Sequence, residues 1–136
     1  MSEHIRNLKN YQTGIDYLRK LDPEKFNICT YGYEREGCGF VGCAAGWWAY
    51  DDVFPRYTLG STIHGYHPVY TDERGEKYSG ATAIAVLLGI TGDIAHELFN
   101  GLWRNIPPSL VTPDAVADAM VTYRDSGVCV TALAEC

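Results

Sequence analysis

The sequence predicts one α+β domain over residues 1–136, predominantly helical, with about five helices around a buried central helix and a small β-hairpin. Three observations predict this fold. An uncharged stretch of glycine, alanine and aromatic residues runs from Cys38 to Tyr50, apolar residues recur at helical spacing on both sides of it, and strand-forming residues cluster between Arg56 and Tyr78. A chain of 136 residues is long enough to bury a continuous core without metal or disulfide staples.

The N-terminal segment predicts an amphipathic helix from Glu3 to about Leu21, capped by the Ser2 hydroxyl. Its apolar residues lie three and four positions apart and form one stripe, made of Ile5, Leu8, Tyr11, Ile15 and Leu18. Asp22-Pro23-Glu24 ends the helix or begins a short extra turn, since proline is tolerated only in a first helical turn. The following segment, Phe26 to Gly37, is predicted to be an ordered loop.

The central helix is predicted from Val41 to Val53. Each of its glycines weakens an isolated helix by roughly 1 kcal/mol relative to alanine, so tertiary contacts must stabilise it. Small residues on its surface would also let neighbouring backbones approach closely. The residues expected in the structural core belong to this helix and to the later ones: Cys43, Gly46, Trp47, Leu87, Leu98, Phe99 and Val116.

The region from Arg56 to Tyr78 predicts two short strands joined by the turn Asp72-Glu73-Arg74-Gly75. A hairpin of this size is marginal alone and must lie on the helices.

Capping signals place the remaining helices. Ser79 and Thr91 are expected to cap two short helices, the first of which closes at Gly89 in the left-handed conformation. Thr112, followed by proline, begins the last helix, which ends near Gly127.

The composition excludes some classes of function. The net charge is −6, so the chain has no basic stripe to neutralise phosphates, and we expect no nucleic-acid partner. No apolar run approaches the length of about 20 residues that spans a bilayer, and the first residues do not form a secretory signal. Five cysteines, an odd number, then favour reduced thiols and a cytoplasmic protein.

The pattern Cys38-Gly-x-x-x-Cys43-x-x-Gly46-Trp47 resembles that of a family of small, largely uncharacterised bacterial and phage proteins. The likeness covers most of the chain and extends, in order, to Phe26-Asn27-Ile28, to Leu87-Leu88-Gly89-Ile90 (Leu-Leu-Gly-Leu in the family), to Leu98-Phe99, and to Thr112-Pro113-Asp114-Ala115-Val116 (Thr-Pro-x-x-Val). Phe40 stands where the family usually has threonine, which argues against a role for a hydroxyl there. The resemblance implies a phage or bacterial cytoplasmic accessory protein, and it supplies no reaction.

The sequence leaves two chemical alternatives open, and it favours no cofactor. In a thiol enzyme, Cys38 or Cys43 would be the nucleophile, and the base would be His64, His67 or His96. A metal site could use Cys38, Cys43, His64 and His67 as ligands, although their spacing does not match a zinc signature. Against both stands the usual role of a buried free cysteine, which is that of a small core residue.

A third alternative is a small-nucleotide-binding protein that sequesters its ligand. Aromatic rings such as Trp48 and Tyr66 would stack a base, and an arginine such as Arg56 would bind phosphate. The chain has no glycine-rich phosphate loop with the lysine and hydroxyl that such a loop needs.

The favoured hypothesis is a phage-encoded, non-enzymatic accessory protein that binds and modulates a host protein, for example a component of host defence. An excess of tyrosine and tryptophan is typical of protein-contact surfaces. The expected contact surfaces are the hairpin region from Tyr57 to Tyr78 and the proline-containing segment from Trp103 to Leu110. The residues expected to bind are Tyr57, Tyr66, Tyr70, Trp103 and Arg104. The sequence does not indicate an oligomeric state.

Overall fold

The computed structural model describes residues 5–28, 31–35, 39–62, 65–100, 103 and 105–128. The described residues include five α-helices: α1 (Leu8–Lys20), α2 (Ala44–Tyr50), α3 (Gly80–Leu88), α4 (Gly92–Phe99) and α5 (Pro113–Ser126). They also include five strands: β1 (Tyr33–Arg35), β2 (Gly39–Val41), β3 (Tyr57–Thr62), β4 (Gly65–Thr71) and β5 (Lys77–Ser79). Short 3-10 turns cover Pro23–Lys25 and Pro108–Leu110. The predicted class, α+β and predominantly helical, is confirmed.

The central helix, α2, is shorter at both ends than the predicted span from Val41 to Val53. At its start, β2 pairs with β1, and the Asn27 N–H donates to the Gly42 carbonyl over 2.9 Å. These hydrogen bonds keep the chain extended up to Cys43, which is the N-cap. At the other end Asp52 has a φ of 55°, in the left-handed region, so the helical path stops there. The helix dipole also disfavours carboxylates at this end.

α2 is nevertheless the buried centre of the fold, with every residue except Tyr50 buried. The Trp48 indole packs edge-on against Phe54 and Phe99, with ring centroids 5.8 Å and 5.4 Å away. Its Nε1–H donates to the Gly14 carbonyl of α1 over 3.3 Å. A Cβ at position 14 would lie 2.8 Å from the Trp48 ring, so the contact between α1 and α2 requires glycine there.

Gly46 sets an even closer contact on another side of α2. A Cβ at this position would lie 1.5 Å from the Tyr31 carbonyl oxygen, far inside any real contact distance. The obstacle is backbone, which cannot move aside like the end of a flexible side chain. The segment that contains Tyr31 therefore lies against α2 because position 46 has no side chain.

α1 begins at Leu8, later than the predicted Glu3, because the residues before it make a different contact. The Arg6 N–H donates to the Gly89 carbonyl over 2.7 Å, which holds this segment against the end of α3. The Asn7 side chain caps α1 by accepting from the Asn10 N–H, whereas the predicted cap, Ser2, lies outside the described residues. Most of the predicted stripe is buried, but Leu8 is 45% exposed.

The strand region holds an antiparallel sheet of three strands, in the order β3-β4-β5, rather than the two predicted. The predicted turn is present and joins β4 to β5. The Asp72 carboxylate accepts from the N–H groups of Glu76 and Arg74, each over 2.9 Å, and Gly75 has a φ of 84°. The segment predicted as an ordered loop also contains a strand, β1, which pairs with β2 in a separate two-stranded ribbon.

The capping predictions for α3, α4 and α5 hold with one exception. Gly89 and Gly127 close α3 and α5 in the left-handed conformation, and the hydroxyls of Thr91 and Thr112 accept from the third residue along the chain. Ser79 occupies the N-cap position of α3, but its side chain makes no capping hydrogen bond. α5 packs on α1, and α3 packs on α4 and β4.

Within the described ranges, no single helix has both the length and the apolar character needed to cross a membrane. α3 and α4 reach that length and composition only as a pair, and they are bent by 107° relative to each other.

Gly46→Ala should destabilise the fold by at least about 1–3 kcal/mol, because the new methyl group overlaps the Tyr31 carbonyl. Urea denaturation measures the loss. Gly92→Ala is the matched control: a Cβ there meets no atom within 4 Å, so stability should change by no more than about 0.5 kcal/mol. Equal midpoints for Gly46→Ala and the wild type would contradict the close contact.

Candidate functional site

A cavity of ≈ 100 Å³ lies beside the start of α2 and has a thiol and an imidazole in its lining. Its polar lining comes from Tyr31, Cys43, His96 and Asn100. Its apolar walls come from Ile28, Ala81, Ile84, Ala95 and Phe99. Of the candidates that the sequence offered for a thiol enzyme, the structure thus brings Cys43 and His96 to one cavity.

Separate elements position these polar groups. Cys43 is the N-cap of α2 and is only 3% exposed. His96 lies on α4 and is exposed, and Asn100 follows as the C-cap of that helix. Positions 96 and 100 are four residues apart, which places both side chains on one helix face. The Tyr31 backbone lies against Gly46 of α2, and Tyr31 contributes to the cavity lining from that side.

The electrostatics of the cavity keep the thiol neutral. Burial raises the pKa of Cys43 from its ordinary value of 9.0 to about 11, and the N–H groups of Gly46, Ala45 and Cys43 itself offset only part of that effect. Burial, and then the proximity of Cys43, also raise the pKa of Tyr31. At neutral pH both groups therefore keep their protons. A thiol is nucleophilic only as the thiolate, so this cavity is suited to packing or binding rather than to nucleophilic attack.

His67, another candidate ligand and base, is not among the described residues that line this cavity. His67 lies on β4 opposite Gly60, and its Nδ1 is buried without a hydrogen-bond partner. Cys38 and His64 lie outside the described residues, so the structure says nothing of them. The part of the chain that is described holds no cluster of three or more histidine, cysteine, aspartate or glutamate side chains able to bind a metal ion.

The prediction that Tyr57 and Trp103 form a contact surface is wrong, because both side chains are in the core. Tyr57 is 0% exposed and its hydroxyl donates to the Ala45 carbonyl over 3.0 Å. Trp103 is 2% exposed and its Nε1–H donates to the Leu98 carbonyl over 2.7 Å. Helix carbonyls thus satisfy the polar tips that suggested a surface role.

Two of the other three residues expected to bind a partner, Tyr66 and Tyr70, are described by the structure. Tyr66 and Tyr70 on β4 are partly exposed, and Arg104 lies outside the described residues. The residues expected in the core are all buried: Cys43, Gly46, Trp47, Leu87, Leu98, Phe99 and Val116. Sequence analysis did not find the roles of Tyr31 and Asn100 in the cavity. For Asn100 the four-residue spacing from His96 was the available signal.

Comparison of the chain with protein-family models, with curated proteins and with solved structures finds no significant match.

Cys43 should react slowly with iodoacetamide in the folded protein. With Cys29, Cys38, Cys129 and Cys136 replaced by serine, alkylation at pH 8 should be about 100-fold slower than in urea, since a pKa of about 11 leaves little thiolate. Mass spectrometry follows the rate. Alkylation as fast in the folded protein as in urea would show that the thiol is activated.

The Cys43 thiol also makes the free energy of unfolding depend on pH in the alkaline range. Burial raises the folded-state pKa of Cys43 above 9.0, so the unfolded chain loses the thiol proton at a lower pH than the folded chain does. The stability that depends on the protonated thiol is therefore fully present below pH 9.0 and is lost as the pH rises through about 11. Wild-type stability should therefore fall by about 2–3 kcal/mol more over this range than that of Cys43→Ala. Urea denaturation at several pH values measures both slopes. Parallel slopes would contradict the raised pKa.

Proposed function

We propose that this chain is a phage-encoded, non-enzymatic accessory protein that binds and modulates a host protein in the host cytoplasm. The observation that carries the proposal is Leu110, which is 58% exposed. It lies in residues 105–110, which we call the proline loop. This loop is the part of the expected contact surface Trp103 to Leu110 that follows the buried Trp103. Its exposed apolar side chain is on a connection between helices, where binding residues concentrate in proteins.

The proline loop is held in place by buried residues on both sides. Trp103 precedes it in the core, and the Ile106 N–H donates to the Trp103 carbonyl over 3.1 Å. The Leu110 N–H donates to the Pro107 carbonyl over 2.9 Å, and Val111, 3% exposed, returns the chain to the core. A loop fixed in this way loses little conformational freedom on binding, which favours affinity.

The chemistry of the proline loop suits a protein partner. Residues 106–111 carry no charge in a chain whose net charge is −6. The centres of protein interfaces are depleted of charged residues, because each charge must lose its water on binding. Around Leu110, the residues Pro107 and Ser109 are exposed, so the partner has access to the leucine.

Leu110→Asp should weaken partner binding at least about tenfold, because it would bury a charge in the interface. A pull-down from host lysate identifies the proteins retained by the wild type, and titration with the purified partner measures affinity. Leu8→Asp introduces the same charge at another exposed leucine, 45% exposed at the start of α1, and should bind nearly as the wild type does. Unchanged thermal unfolding of both variants separates binding from folding. Equal partner capture by Leu110→Asp would refute the role of the loop.

A thiol enzyme is the second candidate, and the cavity shared by Cys43 and His96 is the observation that favours it. That function needs a thiolate, whereas burial keeps the Cys43 thiol protonated at neutral pH. Rapid alkylation of Cys43 that is lost in His96→Gln would reverse the preference for a binding protein.

A further inference from the structure

A second and larger cavity, of ≈ 720 Å³, lies where the segment before α1 crosses the corner between α3 and α4. We call it the Arg6 groove. Arg6 and Asn7 contribute to its lining from the segment before α1, Val86 and Ile90 from the end of α3 and the residues after it, and Tyr123 from α5. The volume falls in the range of about 300–1,000 Å³ that small-molecule sites occupy. The groove is distinct from both the proline loop and the Cys43 cavity.

The backbone of Arg6 is fixed at the edge of this groove. Besides the hydrogen bond from its N–H, its segment packs directly on Gly89, where a Cβ would lie 2.4 Å from the Asn7 nitrogen. Gly89 also has a φ of 71°, so both its conformation and its contact require glycine. The Arg6 side chain is exposed, and it makes no ion pair with any described residue, unlike Arg19, Arg56 and Arg124.

The polar groups beside Arg6 are also able to donate hydrogen bonds. The Asn7 Oδ1 accepts from the Asn10 N–H over 3.1 Å, which leaves the amide NH2 as a donor. The Thr91 Oγ1 accepts from the Ile94 N–H over 3.2 Å, and its own hydrogen can point to a ligand. No aspartate or glutamate is among the described residues that line the groove. The polar side of the groove is therefore complementary to an anion, and guanidinium pairs best with a carboxylate or phosphate.

The apolar residues of the lining have the opposite character. Val86 is 40% exposed, and it adjoins Ile90 and Ala85 in the same lining. The apolar part of a ligand would cover these side chains while its acidic group reached Arg6. Highly charged phosphates gain little from such a surface, so the carboxylate is the better match. The lining also contains far fewer apolar residues than the roughly 20–30 residues that each partner contributes to a stable protein interface.

We propose that the Arg6 groove binds a small carboxylic acid with an apolar body, the carboxylate pairing with the Arg6 guanidinium and the apolar body covering Val86 and Ile90. Octanoate is the probe, with octanamide and acetate as controls that lack the charge or the apolar body. In two-dimensional NMR titrations of the full chain, octanoate should shift the amide signals of Arg6, Val86, Gly89 and Thr91. Octanamide and acetate should each bind at least about tenfold more weakly.

Variants test the assignment of each half of the ligand. Arg6→Gln and Val86→Asp should each weaken octanoate binding about tenfold, while Arg74→Gln, in the turn between β4 and β5, should leave it unchanged. Both groove positions are exposed, and thermal unfolding checks that the variants fold. Equal binding of octanamide, or no shift of groove amides at millimolar octanoate, would overturn the proposal. So would shifts produced only by an acidic apolar peptide, since the occupant would then be a protein segment.

Discussion

The burial of the Trp48 indole is the interaction on which the arrangement of the helices depends. One ring contacts Gly14 of α1, Phe54 in the connection to β3, and Phe99 at the end of α4. A ring this large can be enclosed only if some neighbours have no side chain, and Gly14 provides that space. Since Phe99 also forms a wall of the Cys43 cavity, the shape of that cavity follows from the same packing.

The same burial decides what the Cys43 thiol can do. Placing the N-cap of α2 in the core stabilises the fold but removes water from the sulfur, and the charged thiolate then becomes the costly form. Three N–H groups at the helix start oppose this effect without reversing it. A cysteine followed by a helix can look like an activated nucleophile in a sequence. Here the depth of the helix start, which the sequence does not state, determines the protonation of the thiol.

Local signals predicted the parts of the fold that local physics controls. The caps at Thr91, Thr112 and Gly89 depend on residues within one helical turn, and all three were predicted correctly, as was the end of α5 near Gly127. The start of α2 was not, because Gly42 is held extended by hydrogen bonds to residues 25–27, which are distant in the sequence.

The candidate sites could be predicted only in part. Cys43 and His96 were recognised as residues with suitable chemistry, but the cavity is assembled from four separate segments, and no spacing in the sequence relates them. Tyr57 and Trp103 were wrongly assigned to the surface. Aromatic residues with polar tips occur both in protein cores and on contact surfaces, so the residue type alone does not decide between the two. Only the helix carbonyls that accept their hydrogen bonds decide between the two. No sequence pattern marked Arg6, whose backbone position depends on a hydrogen bond to Gly89 at the far end of α3.

The hydrogen bond from the Tyr11 hydroxyl to the Met120 carbonyl joins positions 109 residues apart, and it has a consequence for the biosynthesis of this protein. A ribosome that adds about 5–20 residues each second needs about 5–20 s to make the intervening chain. Throughout that interval the apolar stripe of α1 has emerged without the helix that covers it. The newly made chain is therefore most open to chaperones, and to association with other nascent chains, at its first helix rather than its last.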